Sequence, residues 1–248
     1  MSKFRRRIRQ LGRPASGGIG FAPTRDGDGA RQVLVVAEVA SAEQAAAALE
    51  AGADALLAAP GAVEAAVRAA GDRPVGARLD AVTVESVADA ARAGADFFLF
   101  DDAQTPATAL LPRDDVPAVV TLGRVLRLGE DQSEERLRAI AAINLDAMIV
   151  EGLGSAITVR EQIRLRRLTD LAAVPLIAAI AEAPSTQGLQ VWRDAGAPIA
   201  LVGADPALVR ATREAAAQVP PPRRARGERP ALVPLLPGHY GDDEDDRR

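Results

Sequence analysis

The side chains best able to do chemistry in this chain are carboxylates placed where short apolar segments end. Six such segments have an acid at or just past their carboxyl end, among them Glu38, Asp101 and Glu151. Crowded carboxylates repel one another unless a cation joins them, and Mg²⁺ prefers oxygen ligands of this kind. The pattern predicts a metal site with Mg²⁺ on Asp101 and Glu151, and with Glu38 as a further candidate ligand.

Two arginines follow apolar segments in the same way and are predicted to lie among these acids. Arg78 is expected to bind a substrate carboxylate with its planar guanidinium group. General acid–base chemistry would fall to Glu38 or Glu151, and charge stabilisation to the metal together with Arg78 or Arg124. These four residues are the predicted catalytic set. The alternative is structural, because acids in such positions also cap helices or pair with arginines.

The residue types that the chain lacks exclude several standard mechanisms. There is no Cys, and the only Lys and the only His are Lys3 and His239, which both lie outside the predicted barrel. The barrel therefore offers no Schiff-base lysine, no histidine base and no thiolate nucleophile. The formal net charge of −4 gives no general reason to expect nucleic acid as a partner. Without a membrane-spanning apolar run or a secretory pattern, a cytoplasmic location is expected.

A recurring junction indicates the elements that would position these residues. Ala51-Gly52-Ala53-Asp54 and Ala93-Gly94-Ala95-Asp96 each join an Ala-rich helical run to an apolar strand, and Ala195-Gly196-Ala197-Pro198 is a relaxed copy. Glycine just past a helix supplies the left-handed conformation that ends it. Eight strand–helix units in alternation predict an α/β fold, a closed (β/α)₈ TIM barrel, with an open doubly wound sheet as the alternative. The predicted strands are 32–39, 55–59, 74–79, 96–100, 118–122, 147–150, 175–181 and 199–202.

Composition divides the chain into a barrel and two tails, which are predicted to be disordered or loosely docked. Residues 1–30 form a basic, Gly- and Pro-rich arm with a short amphipathic start, which would cover one end of the barrel or lie on an anionic surface. Residues 31–219 form the barrel, and 220–248 a Pro- and Arg-rich and then acidic tail that contains His239 and Tyr240. The opposed charge blocks Arg5–Arg9 and Asp242–Asp246 could pair within or between chains, so a homo-oligomer is left open.

Three segments resemble the phosphate-binding barrels, namely the ribulose-phosphate-binding and FMN-dependent groups, nitronate monooxygenases included. They are Val36–Leu56, Val174–Ala178 and Asp194–Gly203. The resemblance implies a phosphate or FMN site after the seventh and eighth strands, which would place Glu182 and Gly203 at the cofactor. The loop after the seventh strand departs from the Gly-rich pattern, because Pro184 lacks an N–H and Glu182 would repel a dianion. FMN is therefore disfavoured as a cofactor.

Three functions are consistent with the sequence. The first is an aldolase-type TIM-barrel enzyme, metal-assisted, acting on a small oxyacid through carboxylates at the carboxyl end of the strands. The second is a non-catalytic barrel that binds partners or acts as a scaffold through its charged tails. The third is an FMN-dependent oxidoreductase. A small-molecule ligand is expected in the first and third cases.

Overall fold

Eight parallel strands pair in sequence order, and the last strand pairs with the first to close a barrel. This computed structural model describes residues 1–12, 31–112, 115–153 and 157–222. The predicted closed (β/α)₈ barrel is confirmed, and the open sheet is excluded. The strands are β1 (Leu34–Val39), β2 (Ala55–Ala58), β3 (Val75–Arg78), β4 (Phe97–Asp101), β5 (Gly123–Arg127), β6 (Ala147–Val150), β7 (Leu176–Ala179) and β8 (Ile199–Val202).

Helices alternate with the strands and cover the outside of the barrel, and one more helix precedes the first strand. None of the described helices is both long and apolar enough to cross a membrane. They are α1 (Lys3–Gln10), α2 (Ala42–Glu50), α3 (Val63–Ala70), α4 (Val84–Arg92), α5 (Ala118–Thr121), α6 (Glu134–Ala141), α7 (Val159–Ala172), α8 (Thr186–Asp194) and α9 (Pro206–Ala217), with a 3₁₀ turn at Ala107–Leu110.

The recurring glycine junction forms as the sequence predicts. Gly52, Gly94 and Gly196 follow α2, α4 and α8 with φ angles of +101°, +87° and +98°. Residues with a side chain resist this left-handed conformation, so each glycine ends its helix and turns the chain into the next strand. At Gly196 the packing is also tight, because a Cβ atom there would overlap Thr169.

The predicted strand 118–122 is wrong. Ala118–Thr121 form the short helix α5, and the fifth strand begins later, at Gly123. A short apolar run cannot be distinguished as strand or helix by periodicity alone, and Pro117 directly before it favours a helix start. The pairing of Phe97 with Gly123 and of Asp101 with Arg127 fixes the register of β5 against β4. The side chains that the prediction placed at the carboxyl end of the fifth strand therefore lie elsewhere in the structure.

Two layers of apolar side chains form the core. Small and branched residues fill most of the space between the sheet and the helices. Among the described helices, the one large aromatic side chain that is buried in this layer is Trp192. A second cluster fills the inside of the barrel, so that the barrel is a packed core and not a pore. The inward-facing members include Leu34, Val36, Leu57, Phe97, Leu99, Val125, Ile149, Ile177, Ile199 and Leu201.

The amino ends of the strands form the floor of the barrel, which is marked by Asp54, Asp96 and Asp146 directly before β2, β4 and β6. Helix α1 lies across this floor. The side chain of Phe4 is fully buried and stacks on Phe97, with ring centroids 4.3 Å apart. This part of the predicted N-terminal arm is therefore closely packed against one end of the barrel.

Two of the floor aspartates, Asp96 and Asp146, hold α1 in place. The backbone N–H groups of Lys3 and Phe4 donate to the two carboxylate oxygens of Asp96, at 2.7 Å each. Arg5 Nε lies 2.6 Å from Asp146 Oδ1, and the Ser2 hydroxyl donates to Oδ2 of the same carboxylate. Asp96, the acidic residue of one junction copy, thus binds the first helix, whereas Asp54 of the other copy pairs with Arg31 and Arg213. The spacing in the sequence did not indicate either role.

Replacing Asp146 by asparagine should change how stability depends on pH. Burial raises the pKa of Asp146 above its usual value, although the Ser2 hydrogen bond and the Arg5 charge oppose this. Because its pKa is higher in the folded than in the unfolded chain, its stabilising contribution is largest at low pH and is lost as the pH rises through the raised value. From pH 4 to pH 7, the free energy of unfolding of Asp146→Asn should therefore rise relative to that of the wild type.

Chemical denaturation of the two proteins at each pH measures this difference. Asp72→Asn, at an exposed position after α3, is the matched control and should follow the wild type. A constant difference between Asp146→Asn and the wild type across the range would contradict the expectation.

Candidate functional site

The carboxyl ends of the strands form the mouth of the barrel, where five charged side chains face inward. Alternation along each strand places Glu38 two residues after the inward-facing Val36, and Arg127 two residues after Val125. Arg78, Asp101 and Glu151 occupy the equivalent positions on β3, on β4 and just after β6. Around the mouth, acids and arginines thus occupy neighbouring positions.

Two of the acids are paired with arginines. Arg78 Nη1 binds Glu38 Oε1, and Arg127 Nε lies 3.2 Å from Glu151 Oε1. Pairing across the mouth, the structural alternative from the sequence, is therefore observed for both glutamates. The Arg78 and Arg127 side chains are 42% and 44% exposed. Ion pairs this exposed contribute only about 0–1 kcal/mol to stability, so that a ligand anion can displace the glutamates.

Asp101 lies between the two arginines along the mouth and has a different partner. Its Oδ1 atom accepts a hydrogen bond of 2.8 Å from the backbone N–H of Ala103. Within the described ranges, no arginine forms an ion pair with this carboxylate. Asp101 is thus oriented by the turn that follows β4.

Two adjacent cavities open at this side of the mouth. The first has a volume of about 540 Å³ and is lined by Arg78, Asp101 and Arg127, with Gln104 and Thr105 from the following loop. The second, of about 570 Å³, is lined by Asp101, Arg127, Glu151, Gln132 and Arg164. Asp101 and Arg127 line both cavities. This pair is therefore the centre of the candidate site.

An ion pair between Arg136 and Asp102 fixes the turn that directly follows Asp101. Arg136 on α6 donates to both carboxylate oxygens of Asp102, with Nη2 2.6 Å from Oδ1 and Nε 3.1 Å from Oδ2. These hydrogen bonds raise the pKa of Arg136 above its usual value. The two-point contact joins the end of β4 to α6 and so limits the positions that Asp101 can take.

Arg124, predicted to be catalytic, does not reach the mouth. It is the second residue of β5 and points outward, where its Nη2 donates to the backbone carbonyl of Leu110. Burial lowers the pKa of Arg124. Its place at the mouth is taken by Arg127, which the sequence reasoning missed because it ended the strand five residues too early. The alternation of Gly123, Val125 and Arg127 carried the signal.

The two residues predicted to bind a cofactor are both exposed, Glu182 after β7 and Gly203 directly after β8. A Cβ atom on Gly203 would meet nothing within 4 Å, so no close backbone approach requires glycine there. The helices that follow are capped by their own side chains. Ser185 accepts from Gly188 N at 3.0 Å, and Asp205 accepts from Ala207 N at 2.9 Å. A cofactor role for Glu182 and Gly203 stays a prediction.

The predicted metal ligands all face the mouth. Among the residues that the structure describes, however, no three Asp, Glu, His or Cys side chains come together as a group that could hold a metal ion. Glu38 and Glu151 are paired with arginine, and Asp101 with a backbone N–H. A magnesium ion bound by Asp101, Glu151 and Glu38 stays a prediction.

Comparison with known proteins identifies the architecture. No protein-family model matches the chain, and no curated protein matches it. KGPDC from Streptococcus mutans is similar in structure, with a TM-score of 0.60 at 13% identity over 75% of this chain and 98% of that one. An HpcH/Hpal aldolase/citrate lyase family protein from Burkholderia cenocepacia J2315 gives 0.53 at 20% identity over 77% and 95%. A tryptophan synthase alpha-subunit from Pyrococcus furiosus gives 0.53 at 15% identity over 75% and 96%.

The fold is that of an aldolase-type TIM barrel. At these identities the likeness establishes the fold alone, since one fold supports many chemistries. In TIM-barrel enzymes the active site lies at the carboxyl ends of the strands. The charged mouth of this TIM barrel, with Asp101 and Arg127 at its centre, is therefore the place to look for activity.

Proposed function

We propose that the protein is an enzyme that acts on a small oxyacid bound at the mouth between β3 and β6. The observation that carries the proposal is that Arg78 and Arg127, on either side of Asp101, line a single cavity of about 540 Å³. A guanidinium group binds carboxylate or phosphate oxygens through two parallel hydrogen bonds. Two arginines in one cavity favour a ligand with two anionic groups, such as a dicarboxylic acid.

The glutamates at the mouth hold the arginines in position while the site contains no ligand. Glu38 keeps Arg78 directed inward, and Glu151 does the same for Arg127. A ligand carboxylate takes the place of each glutamate at its arginine, so that binding replaces a glutamate–arginine ion pair by a ligand–arginine ion pair. The released Glu151, which lines the second cavity with Arg127, is then available for proton transfer.

Asp101 is the group best placed to move a proton on the bound acid. It lies between the two arginines, and the Ala103 N–H holds one oxygen, which leaves the carboxylate oriented toward the cavities. Removal of a proton from the carbon next to a carboxylate or carbonyl creates an enolate. Arg78 and Arg127 would stabilise the negative charge that develops. Proton transfer at such a carbon is the proposed reaction class.

Thermal unfolding with a panel of ligands tests this function. The panel contains small mono-, di- and tricarboxylic acids, sugar phosphates, Mg²⁺, Mn²⁺ and FMN. A ligand at a hundred times its Kd stabilises the folded state by about 2.7 kcal/mol, and for a protein of this size each kcal/mol raises Tm by roughly 2–4 °C. We expect a dicarboxylic acid to raise Tm by roughly 5–11 °C.

Variants connect the shift to the mouth. Hydrogen bonds to charged groups contribute about 1.5–3 kcal/mol, so Arg78→Gln and Arg127→Gln should each weaken binding by roughly 10- to 150-fold. Arg160→Gln removes an exposed arginine of α7 that lines neither cavity and should bind the acid as the wild type does. An acid that binds both mouth variants with unchanged affinity, or a panel without any binder, would rule out the proposed site.

The same panel separates the other functions predicted from the sequence. A rise in Tm that requires Mg²⁺ and is lost in Asp101→Asn would support the carboxylate metal site. A yellow protein stabilised by FMN would support the oxidoreductase. The scaffold function gains support from two results together: no ligand raises Tm, and a protein without the residues after Val219 behaves in cells like a complete loss of the protein.

A further inference from the structure

The outer face of α1 carries a set of cations without acidic partners. Phe4 and Ile8 pack against the barrel interior and turn the opposite side of the helix outward. Within the described part of the chain, no acid pairs with the side chains of this outer set, and Arg9 contacts only Met1 Sδ, at 3.5 Å. Three other arginines at the floor, Arg5, Arg31 and Arg213, each lie near an aspartate. The set, which we term the α1 cation face, consists of the exposed Lys3, Arg6 and Arg9 and the half-buried Arg7.

The chain leaves the barrel at this same end. Helix α9 starts just after β8 at the mouth and runs back to the floor, where Arg213 Nη1 lies 3.6 Å from Asp54 Oδ2. The carbonyl of Pro220, beyond the end of α9, accepts a hydrogen bond from Arg193 on α8. The last described residues, up to Pro222, therefore lie at the end of the barrel that α1 covers.

Residues 223–248 contain the longest run of acidic residues in the chain. Asp242-Asp243-Glu244-Asp245-Asp246 are five consecutive acids, which we term the acidic segment. Nineteen residues, 223–241, separate it from the last described residue, Pro222. A random coil of this length has an r.m.s. end-to-end distance on the order of 25 Å, which is enough to reach from the rim of a barrel floor to its centre.

We propose that the acidic segment docks on the α1 cation face of the same chain. Individual exposed ion pairs are weak and are screened by salt. Attachment to the same chain compensates for this, because a short linker holds the segment at an effective concentration in the millimolar range. The basic stretch Arg223–Arg229 is the competing partner within the tail. A second copy of the chain is the competing partner between molecules.

Cross-linking tests the contact directly because Lys3 is the only lysine in the chain. A carbodiimide joins a lysine amine to a carboxylate with no spacer, so a product at Lys3 reports an acid in direct contact. We expect peptide mapping of the full-length protein in 10 mM salt to show Lys3 joined to the acidic segment. The yield should fall at least fivefold in 1 M salt, where the Debye length decreases from about 30 Å to about 3 Å.

Variants and isotope labels distinguish the competing partners. Arg6→Gln with Arg9→Gln should lower the yield at least threefold, whereas Arg160→Gln with Arg167→Gln, on exposed positions of α7, should not change it. A mixture of ¹⁴N- and ¹⁵N-labelled protein should give products from single chains only. Products that join two chains, products of Lys3 with Asp96 or Asp146 alone, or a yield that is insensitive to salt would each overturn the proposal.

Discussion

Replacing Phe4 by alanine is expected to lower the free energy of unfolding by about 3–5 kcal/mol, as for other large buried aromatics. The Phe4 side chain has no exposed surface and stacks on Phe97 inside the floor of the barrel. Its loss would leave a cavity beside Phe97 in the inner cluster, whose other side chains come from strands of the closed barrel. The effect is large because one side chain joins the first helix to the interior.

Urea unfolding of the two proteins measures this difference. Arg6→Ala is the matched control on the outer face of the same helix, where the change should stay within about 0.5 kcal/mol. A loss below about 1 kcal/mol in Phe4→Ala, or an equal loss in the two variants, would show that α1 contributes little to the stability of the barrel.

Replacing Gly76 by alanine should destabilise the protein by about 1–3 kcal/mol, although it adds a single methyl group. Gly76 faces inward on β3 beside Phe97, and a Cβ atom there would overlap the ring of Phe97. The ring cannot move aside freely, since Phe4 is stacked on it. Glycine at this position therefore makes room for the aromatic pair that closes the floor.

A comparison of two glycine substitutions by chemical denaturation tests this explanation. Gly203→Ala adds a methyl group in open space with an ordinary backbone conformation and should be nearly neutral. Phe97→Leu should reduce the additional cost of Gly76→Ala, because the smaller side chain leaves room for the methyl group. An unchanged cost in the Phe97→Leu background would show that the strain lies elsewhere.

Most of the fold could be predicted because local signals and long-range packing agree. The junction glycines Gly52, Gly94 and Gly196 end helices by their backbone conformation, which a single sequence reveals. The exception, β5, shows the limit. Val119 and Val120 suit a strand by composition, but the register of Gly123 against Phe97 is set by contacts with a distant strand. The local alternation of Gly123, Val125 and Arg127 is compatible with a strand, but it does not decide between this segment and the apolar run before it.

The candidate site was predictable in part for the same reason. The positions of Glu38, Arg78, Asp101 and Glu151 follow from strand ends that were predicted nearly correctly. Arg127 was missed because an error in one strand boundary changes both the position of each side chain along the barrel axis and the side of the sheet on which it lies. The ion pairs of Glu38 and Glu151 depend on the distances between strands, which the spacing of residues in a sequence does not give.

The position of α1 has a consequence for the order in which the protein can fold. The contacts of α1 join Lys3 to Asp96 and Ser2 to Asp146, across 93 and 144 residues of sequence. Helix α1 is synthesised before β4 and β6, so it has no surface to pack on until these strands have been synthesised and paired. During synthesis the apolar side of Phe4 and Ile8 stays uncovered for most of the length of the chain. Docking of α1 is thus a late event of folding, which completes a barrel whose strands have already assembled.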